Sequence, residues 1–238
     1  CHPDPTDAVG VAKAAAKYSA TVMFGTSTFF RLYAKNKKVH PLMFDSLRLA
    51  VAGAEKLSPD VKEAFTKKFN KEILEGYGVT ESAPVASVNL PDVLETSGFS
   101  VQVGNKIGSV GMPLPGTAFK VVDPNSMQEL SVDEDGLILI GGPQGMKGYL
   151  KDENKTQEVI ADINGVRWYK TGDKGHIDAD GYLYIVDRYS RFAKLGGEMV
   201  SLGSIETEIN NLINNSDVDL LTVNLPDEKK GEKVILLI

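Results

Sequence analysis

The chain has 238 residues, a formal net charge of −6, and 42% apolar against 24% charged residues. That length suits one large domain, or one domain and part of another, and the acidic balance argues against a nucleic-acid partner, which needs a basic face. No apolar run approaches the roughly 18 residues of a membrane-spanning helix, and a single cysteine excludes an internal disulfide and a cysteine-based zinc site.

The chain opens on Cys1-His2-Pro3-Asp4-Pro5, polar and turn-like and without an initiator methionine. The expectation is a segment that begins mid-protein, with no signal peptide and no catalytic role for the terminal Cys1. The low cysteine count fits a reducing compartment. Residues 6–18 predict a helix with Val9, Ala12 and Ala16 on one face. Thr21-Val22-Met23-Phe24 and Leu47-Arg48-Leu49-Ala50-Val51-Ala52 predict strands ending at Gly25 and Gly53. The next helix has a start signal, with Ser58 as N-cap, Pro59 at the first position and Asp60 in the first turn. Val61, Phe65 and Phe69 then line one face, while Lys67 and Lys68 suit the negative end of the helix dipole. This βα alternation predicts a parallel sheet covered by helices.

From 84 to 186 glycines are frequent and short β-type runs dominate: 118–122, 137–140 and 182–186. They predict a small, mostly antiparallel β-subdomain. Beyond residue 190, residues 204–213 predict a helix with Ile205, Ile209, Leu212 and Ile213 on one face. Val218 to Val223 and Val234 to Ile238 predict strands. The last of these runs to the chain end, so the expectation is a sheet cut off there.

Three stretches form one pattern: Gly76-Tyr77-Gly78-Val79-Thr80-Glu81, then Tyr169-Lys170-Thr171-Gly172-Asp173, then Asp187-Arg188 running on to Lys194-Leu195-Gly196-Gly197. Singly they read as a strand-to-loop turn, a turn aspartate, a surface arginine and a hairpin. In this order and at these wide spacings they resemble the adenylate-forming superfamily of acyl ligases, which includes acyl-CoA synthetases, peptide-synthetase adenylation domains and luciferases. The resemblance runs from about residue 18 to about 236. It implies an α/β fragment: residues 1–83 as the βα part of the large adenylation domain, 84–188 as its β-rich subdomain, and 189–238 as hinge and truncated α+β C-terminal domain.

The resemblance also assigns roles. Gly53, Ala54 and Glu55, in Gly53-Ala54-Glu55-Lys56-Leu57, would lie along the adenine of ATP or AMP, where glycine permits close approach. Tyr77 would pack on the adenine beside Gly78. Thr80 would bond the α-phosphate and Glu81 would hold Mg²⁺, a hard cation that prefers carboxylate oxygen. Asp173 would take both ribose hydroxyls and Arg188 would reach the ribose. Gly108 to Gly116 resembles a structural turn, and Gly136 to Leu150 a further family stretch. Ser190 would be the pivot about which a small domain rotates between two half-reactions. Lys194 to Gly197 would form the loop that meets the carrier arm. Ser190 and Asp187 depart from the family, where Asp or Lys and Gly are usual.

Phe24 to Phe30 and Arg191 to Leu202 look most like the bacterial bifunctional 2-acylglycerophosphoethanolamine acyltransferase/acyl-acyl-carrier-protein synthetase. That branch implies a fatty acid as substrate, acyl carrier protein as thiol partner (or coenzyme A in the neighbouring branch) and lysophospholipid re-acylation by the parent. It implies a cytoplasmic location, the parent lying at the cytoplasmic face of a bacterial inner membrane. The family's phosphate loop and its adenylating lysine have no counterpart here, so the expectation is a fragment that does not adenylate alone. A carrier-docking module without catalysis is the rival from another class.

Other patterns are read as structural. His2 and Asp7 fit the H-x₄-D of glycerolipid acyltransferases, but two prolines stand between them. Gly141 to Gly145 reads as a tight turn, since no Walker lysine follows. Trp168, Tyr182 and Tyr184 read as packing residues, and His40 and His176 as surface or loop. The lysines at 35, 37, 38, 67, 68 and 71 read as solvated faces, with docking of an acidic carrier protein as the sharper alternative.

Overall fold

The computed structural model describes residues 2–195, 198–213, 218, 220–227 and 231–238. Cys1, Gly196 and Gly197 lie outside the described residues. The first unit runs α1 (Ala8–Lys17), β1 (Val22–Gly25), α2 (Ser27–Lys35), β2 (Leu49–Ala52), α3 (Pro59–Phe69), β3 (Ile73–Gly78) and β4 (Val85–Val88). A two-stranded hairpin of β5 (Val93–Glu95) and β6 (Ser100–Gln102) and the short β7 (Met112–Pro113) follow. Strands β1, β2 and β3 pair in parallel, and β4 and then β7 join antiparallel to give one five-stranded sheet.

The core of this unit lies between the helices and one face of the sheet. Alternate strand residues point to opposite faces, and Ala50 and Ala52 of β2 pack with Phe30, Phe44, Phe65 and Phe69. Phe65 sits 5.1 Å from Phe30 and 4.7 Å from Phe69, in edge-on and tilted contacts that suit aromatic quadrupoles. The α3 face is Val61, Phe65 and Phe69, as its spacing predicts. In α1 the buried face is Ala8, Ala12 and Ala15, with Val9 partly buried and Ala16 exposed. An alanine-rich helix carries little contrast between its faces, and its buried face is turned toward Ala8 and Ala15 from the face that the spacing predicts.

Two of the lysines expected on solvated faces have structural work. The Lys68 ammonium donates to the carbonyls of Tyr33, Ala34 and Asn36 at 3.1, 3.0 and 2.7 Å. These are open acceptors at the C-terminal end of α2, where a cation is favoured. Lys71 donates to the Asp45 carbonyl at 2.8 Å. The Asp7 carboxylate accepts from the Gly10 amide and caps α1, and His2 Nε2 lies 3.8 Å from it.

The second sheet contains β8 (Ala118–Val122), β9 (Gly136–Gly141), β10 (Ile160–Ile163), β11 (Val166–Ile177) and β12 (Leu183–Arg188), all antiparallel. The long β11 pairs with β9 along one edge and, along the other, with β10 first and β12 later. Trp168 is buried with Val122, Leu137 and Leu139. An unexpected helix, α4 (Glu153–Val159), precedes β10, capped by Asp152, whose carboxylate accepts from the Lys155 amide.

The third unit is β13 (Phe192–Leu195), β14 (Glu198–Ser201), α5 (Leu202–Ile213), β15 (Leu221–Asp227) and β16 (Gly231–Leu237), with sheet order β14-β13-β16-β15. Here β15 begins three residues later than expected, and residue 219 lies outside the described residues. Of the expected α5 face, Ile205 and Ile209 are half-buried, but Leu212 is 84% exposed.

Phe65→Ala is expected to lower the unfolding free energy by about 3–5 kcal/mol. Phe99→Ala, at a ring 79% exposed on the β5–β6 hairpin, should change it by less than about 0.5 kcal/mol. Urea titration followed by far-ultraviolet circular dichroism separates the two.

Candidate functional site

Three segments far apart in sequence converge where β3 ends. Gly78 closes the strand, and the chain turns so sharply that a Cβ there would stand 1.9 Å from the Pro84 carbonyl oxygen. The turn continues as a short 3₁₀ segment, Thr80–Ser82. Ser82 is buried and donates its hydroxyl to the carbonyls of Val79 and Pro84. Thr80 stands exposed, Glu81 half-buried. Gly53, at the end of the neighbouring β2, lies beside Gly76, since a Cβ on it would stand 3.4 Å from the Gly76 carbonyl.

Asp173 reaches the same place through an irregularity in β11. The β11–β9 register jumps from Lys170↔Leu139 to Lys174↔Leu137, so the three residues Thr171, Gly172 and Asp173 face a single β9 residue. Gly172 adopts φ +76°, and the Thr171 hydroxyl donates to the Ile138 carbonyl at 2.9 Å. Such a bulge re-aims a side chain. The Asp173 side chain is 4% exposed. Its Oδ2 accepts from the Tyr77 hydroxyl at 2.5 Å, and its Oδ1 accepts from Arg188 Nε at 3.1 Å. Arg188 stands opposite Asp173 in the β11–β12 pairing, and its side chain is 67% exposed.

Burial, with the negative charge of Asp173 beside it, pushes the Tyr77 hydroxyl far above the ordinary tyrosine range. It therefore stays a proton donor at any physiological pH. A carboxylate has about four lone-pair positions. Tyr77 and Arg188 take one on each oxygen, which leaves one more acceptor position on each. The Tyr77 ring also lies 6.5 Å from Phe119 of β8, tilted by 45°.

Glu81 is held from another side. Its Oε1 accepts from the Tyr149 hydroxyl at 2.6 Å, and its backbone carbonyl accepts from the Met146 amide at 2.8 Å. Burial raises its pKa, but the Tyr149 hydroxyl and further hydrogen bonds outweigh this, and the carboxyl titrates below its ordinary range. Tyr149 and Phe119 are site neighbours that the sequence reading did not single out, although Tyr149 lies inside the quoted stretch Gly136 to Leu150.

Residues 1–150 match the family described as AMP-binding enzyme. The chain belongs to that family. This AMP-binding chain is 35% identical over 236 residues to the long-chain-fatty-acid–CoA ligase of Salmonella typhimurium, with 99% of this chain and 39% of the relative covered. It is 35% identical over 188 residues to 4-coumarate–CoA ligase-like 2 of Arabidopsis thaliana, covering 79% of this chain and 31% of that one. Among solved structures it is similar to ATP-bound MatB from Rhodopseudomonas palustris, with TM-score 0.78, 28% identity, and 98% of this chain and 42% of that chain covered. The chain thus spans about two-fifths of the length of the first of these relatives. The adenylate-forming superfamily and the mixed α/β fold expected from sequence are both borne out.

The other expected site residues of this AMP-binding chain stand apart. The Glu55 carboxylate accepts from the Thr28 amide at 2.6 Å and serves the N-terminus of α2, where Thr26 is the N-cap. Burial raises its pKa, but the hydrogen bonds from Thr28 and Thr26 bring it below the ordinary value. The Gly53-Ala54 backbone, with Ala54 at φ +69°, is what this segment presents beside β3. Lys194 lies in β13 opposite Met199 of β14, and its amide donates to the Glu232 carboxylate. Among the described residues no hydrogen bond or ion pair joins it to Tyr77, Glu81, Asp173 or Arg188.

No group of three or more His, Cys, Asp or Glu side chains capable of holding a metal occurs among the described residues. Magnesium does not need one. It keeps several waters and binds through one or two carboxylates plus substrate phosphates, and Glu81, oriented by Tyr149 and ionised at neutral pH, fits that use.

Tyr77→Phe removes a donor to a buried carboxylate and is expected to cost about 1–3 kcal/mol at neutral pH. Because folding raises the Tyr77 pKa, above pH 10 the unfolded state loses a proton that the native state keeps, and stability falls as pH rises. The contribution is complete below the unfolded value of 10.0. Stability measured from pH 8 to 11 should therefore decline less steeply in Tyr77→Phe than in the wild type.

Proposed function

We propose that this chain is part of an ATP-dependent fatty-acid ligase that forms an acyl-adenylate and passes the acyl group to acyl carrier protein. The observation that carries the nucleotide site is the Asp173 carboxylate. It is buried, ion-paired and fixed by two partners, and it retains an acceptor position on each oxygen for a pair of sugar hydroxyls. Arg188 would close over the ribose, and the flat Tyr77 ring and the Gly53-Ala54 backbone would flank the base. Thr80, exposed at the turn, would donate to the α-phosphate. Magnesium at Glu81 would neutralise phosphate charge and polarise the phosphoryl group. The protein's own contribution is preorganisation: donors and charges already held in place where charge develops.

The carrier-protein acceptor and the link to lysophospholipid re-acylation rest on Phe24 to Phe30 and on Arg191 to Leu202, through the branch they resemble. With that branch go a cytoplasmic location and a parent at the membrane face. A fatty-acid–CoA ligase is the second reading, favoured by the 35% identity to a relative of that name. Competition between the two thiols in the longer parent separates them. A carrier-docking module without catalysis should tolerate Asp173→Ala, with carrier binding by the folded variant unchanged.

The deciding measurement is fatty-acid-dependent ATP–pyrophosphate exchange by the longer parent protein. Asp173→Ala should lower exchange at least about a hundredfold, roughly 2.7 kcal/mol of transition-state stabilisation. Undiminished exchange would remove Asp173 from the ribose. No exchange in folded wild type, across a panel of carboxylic acids, would favour the docking module. The present segment alone is expected to give no exchange.

A further inference from the structure

The last two residues of β12 serve two different parts of the molecule. Arg188 turns to Asp173. Asp187, one residue earlier and so on the opposite side of the strand, turns to the unit that follows. Its Oδ2 accepts from the Ser201 hydroxyl at 2.6 Å and from the Gly203 amide at 3.0 Å. Its Oδ1 accepts from the Arg188 amide at 2.8 Å. Ser201 is buried, ends β14, and also accepts from the Ser204 amide at 3.1 Å. Asp187 and Ser201 together therefore satisfy the first open amides of α5.

The approach is close. A Cβ on Gly203 would stand 2.8 Å from Asp187 Oδ2, so any larger residue at that helical position would displace the carboxylate from its present seat. Glycine is otherwise a poor helix residue, and its backbone here is not in the left-handed region. The space it leaves is occupied by the carboxylate.

We propose that Asp187 is a positioning residue: through Ser201 and Gly203 it fixes the β13–β14–α5 unit, with Lys194 on it, relative to the strand that carries Arg188. Beside this contact, the two parts are joined by the turn Tyr189–Arg191, whose Arg191 donates to Glu206 of α5 at 2.6 Å and whose Tyr189 ring lies 6.1 Å from Phe192, and by the Lys174 ammonium 5.4 Å from the Phe192 ring centroid. Any reorientation of the unit must break two hydrogen bonds that converge on one oxygen. Because Asp187 also holds the Arg188 amide, one carboxylate is bonded both to the unit and to the backbone of Arg188. The orientation itself follows from these contacts alone; its consequence for acyl transfer rests on the ligase reading.

The test uses the full chain with Cys1→Ser, and nitroxide labels on cysteines placed at Val132 in the second sheet and Glu208 on α5. Pulsed electron–electron distance measurement should give one narrow distribution in the wild type. Asp187→Gly should broaden it, and so should Gly203→Ala, even though alanine favours the helix. Circular dichroism and Trp168 emission report whether each variant is folded. Distributions as narrow as wild type in both folded variants would overturn the proposal. The measurement contains no nucleotide, so a chain that bound no ATP would leave its result unchanged. In the parent, Asp187→Gly should change the ratio of thiol transfer to ATP–pyrophosphate exchange at least tenfold, whereas an unchanged ratio would make the contact purely structural.

Discussion

The arrangement turns on one buried carboxylate. An ionised group out of water is costly unless it is paired and hydrogen-bonded, and Asp173 meets that condition only because three separate strands deliver its environment. β3 supplies Tyr77, β12 supplies Arg188, and the bulge in β11 brings the carboxylate inward. The Tyr77 contact joins residues 96 apart and ties the first sheet to the second. The charge therefore does two things at once. It links the first sheet to the second, and it presents a fixed carboxylate at the end of β3.

Tight backbone geometry around the charge follows from the same demand. Gly78 admits the Pro84 carbonyl where any side chain would collide, and Gly172 takes a left-handed φ that few other residues adopt cheaply. Both sit beside groups that must be aimed rather than merely buried. Glu81 is aimed by Tyr149, Tyr77 by its own bond to Asp173, and Arg188 by the strand pairing. A site built on strand ends with its polar groups already bonded needs little reorganisation when a ligand arrives.

How much of this is legible in the sequence depends on the range of the cause. Helix α3 is legible because its proline, its first-turn Asp60 and its apolar face are local, although Ser58 at the N-cap position makes no side-chain capping bond. The Tyr77, Asp173 and Arg188 trio is legible only through the order and spacing of three motifs, since no local pattern joins residues so far apart. Helix α4, seven residues of which only Val159 is apolar, has no apolar period to find. The β5–β6 hairpin is exposed along both strands, so it shows no alternation of burial. Glu55, Lys68 and Tyr149 gain their roles from partners supplied by distant elements. A glutamate near a nucleotide motif and a glutamate that caps a neighbouring helix look the same in a sequence.

The two ends of Arg188 show why the third unit belongs in the account of the site. Its guanidinium is mostly exposed and holds Asp173 by one bond, so it is the movable wall of an otherwise buried pair. Its amide is bonded to Asp187, which is in turn committed to Ser201 and Gly203. A ligand drawing Arg188 inward would act directly on a residue whose backbone is shared with that contact. A shift of α5 would act on the seat of Arg188 in return. Coupling of this kind is reciprocal by thermodynamic necessity, and here the physical link is two consecutive residues at the end of one strand.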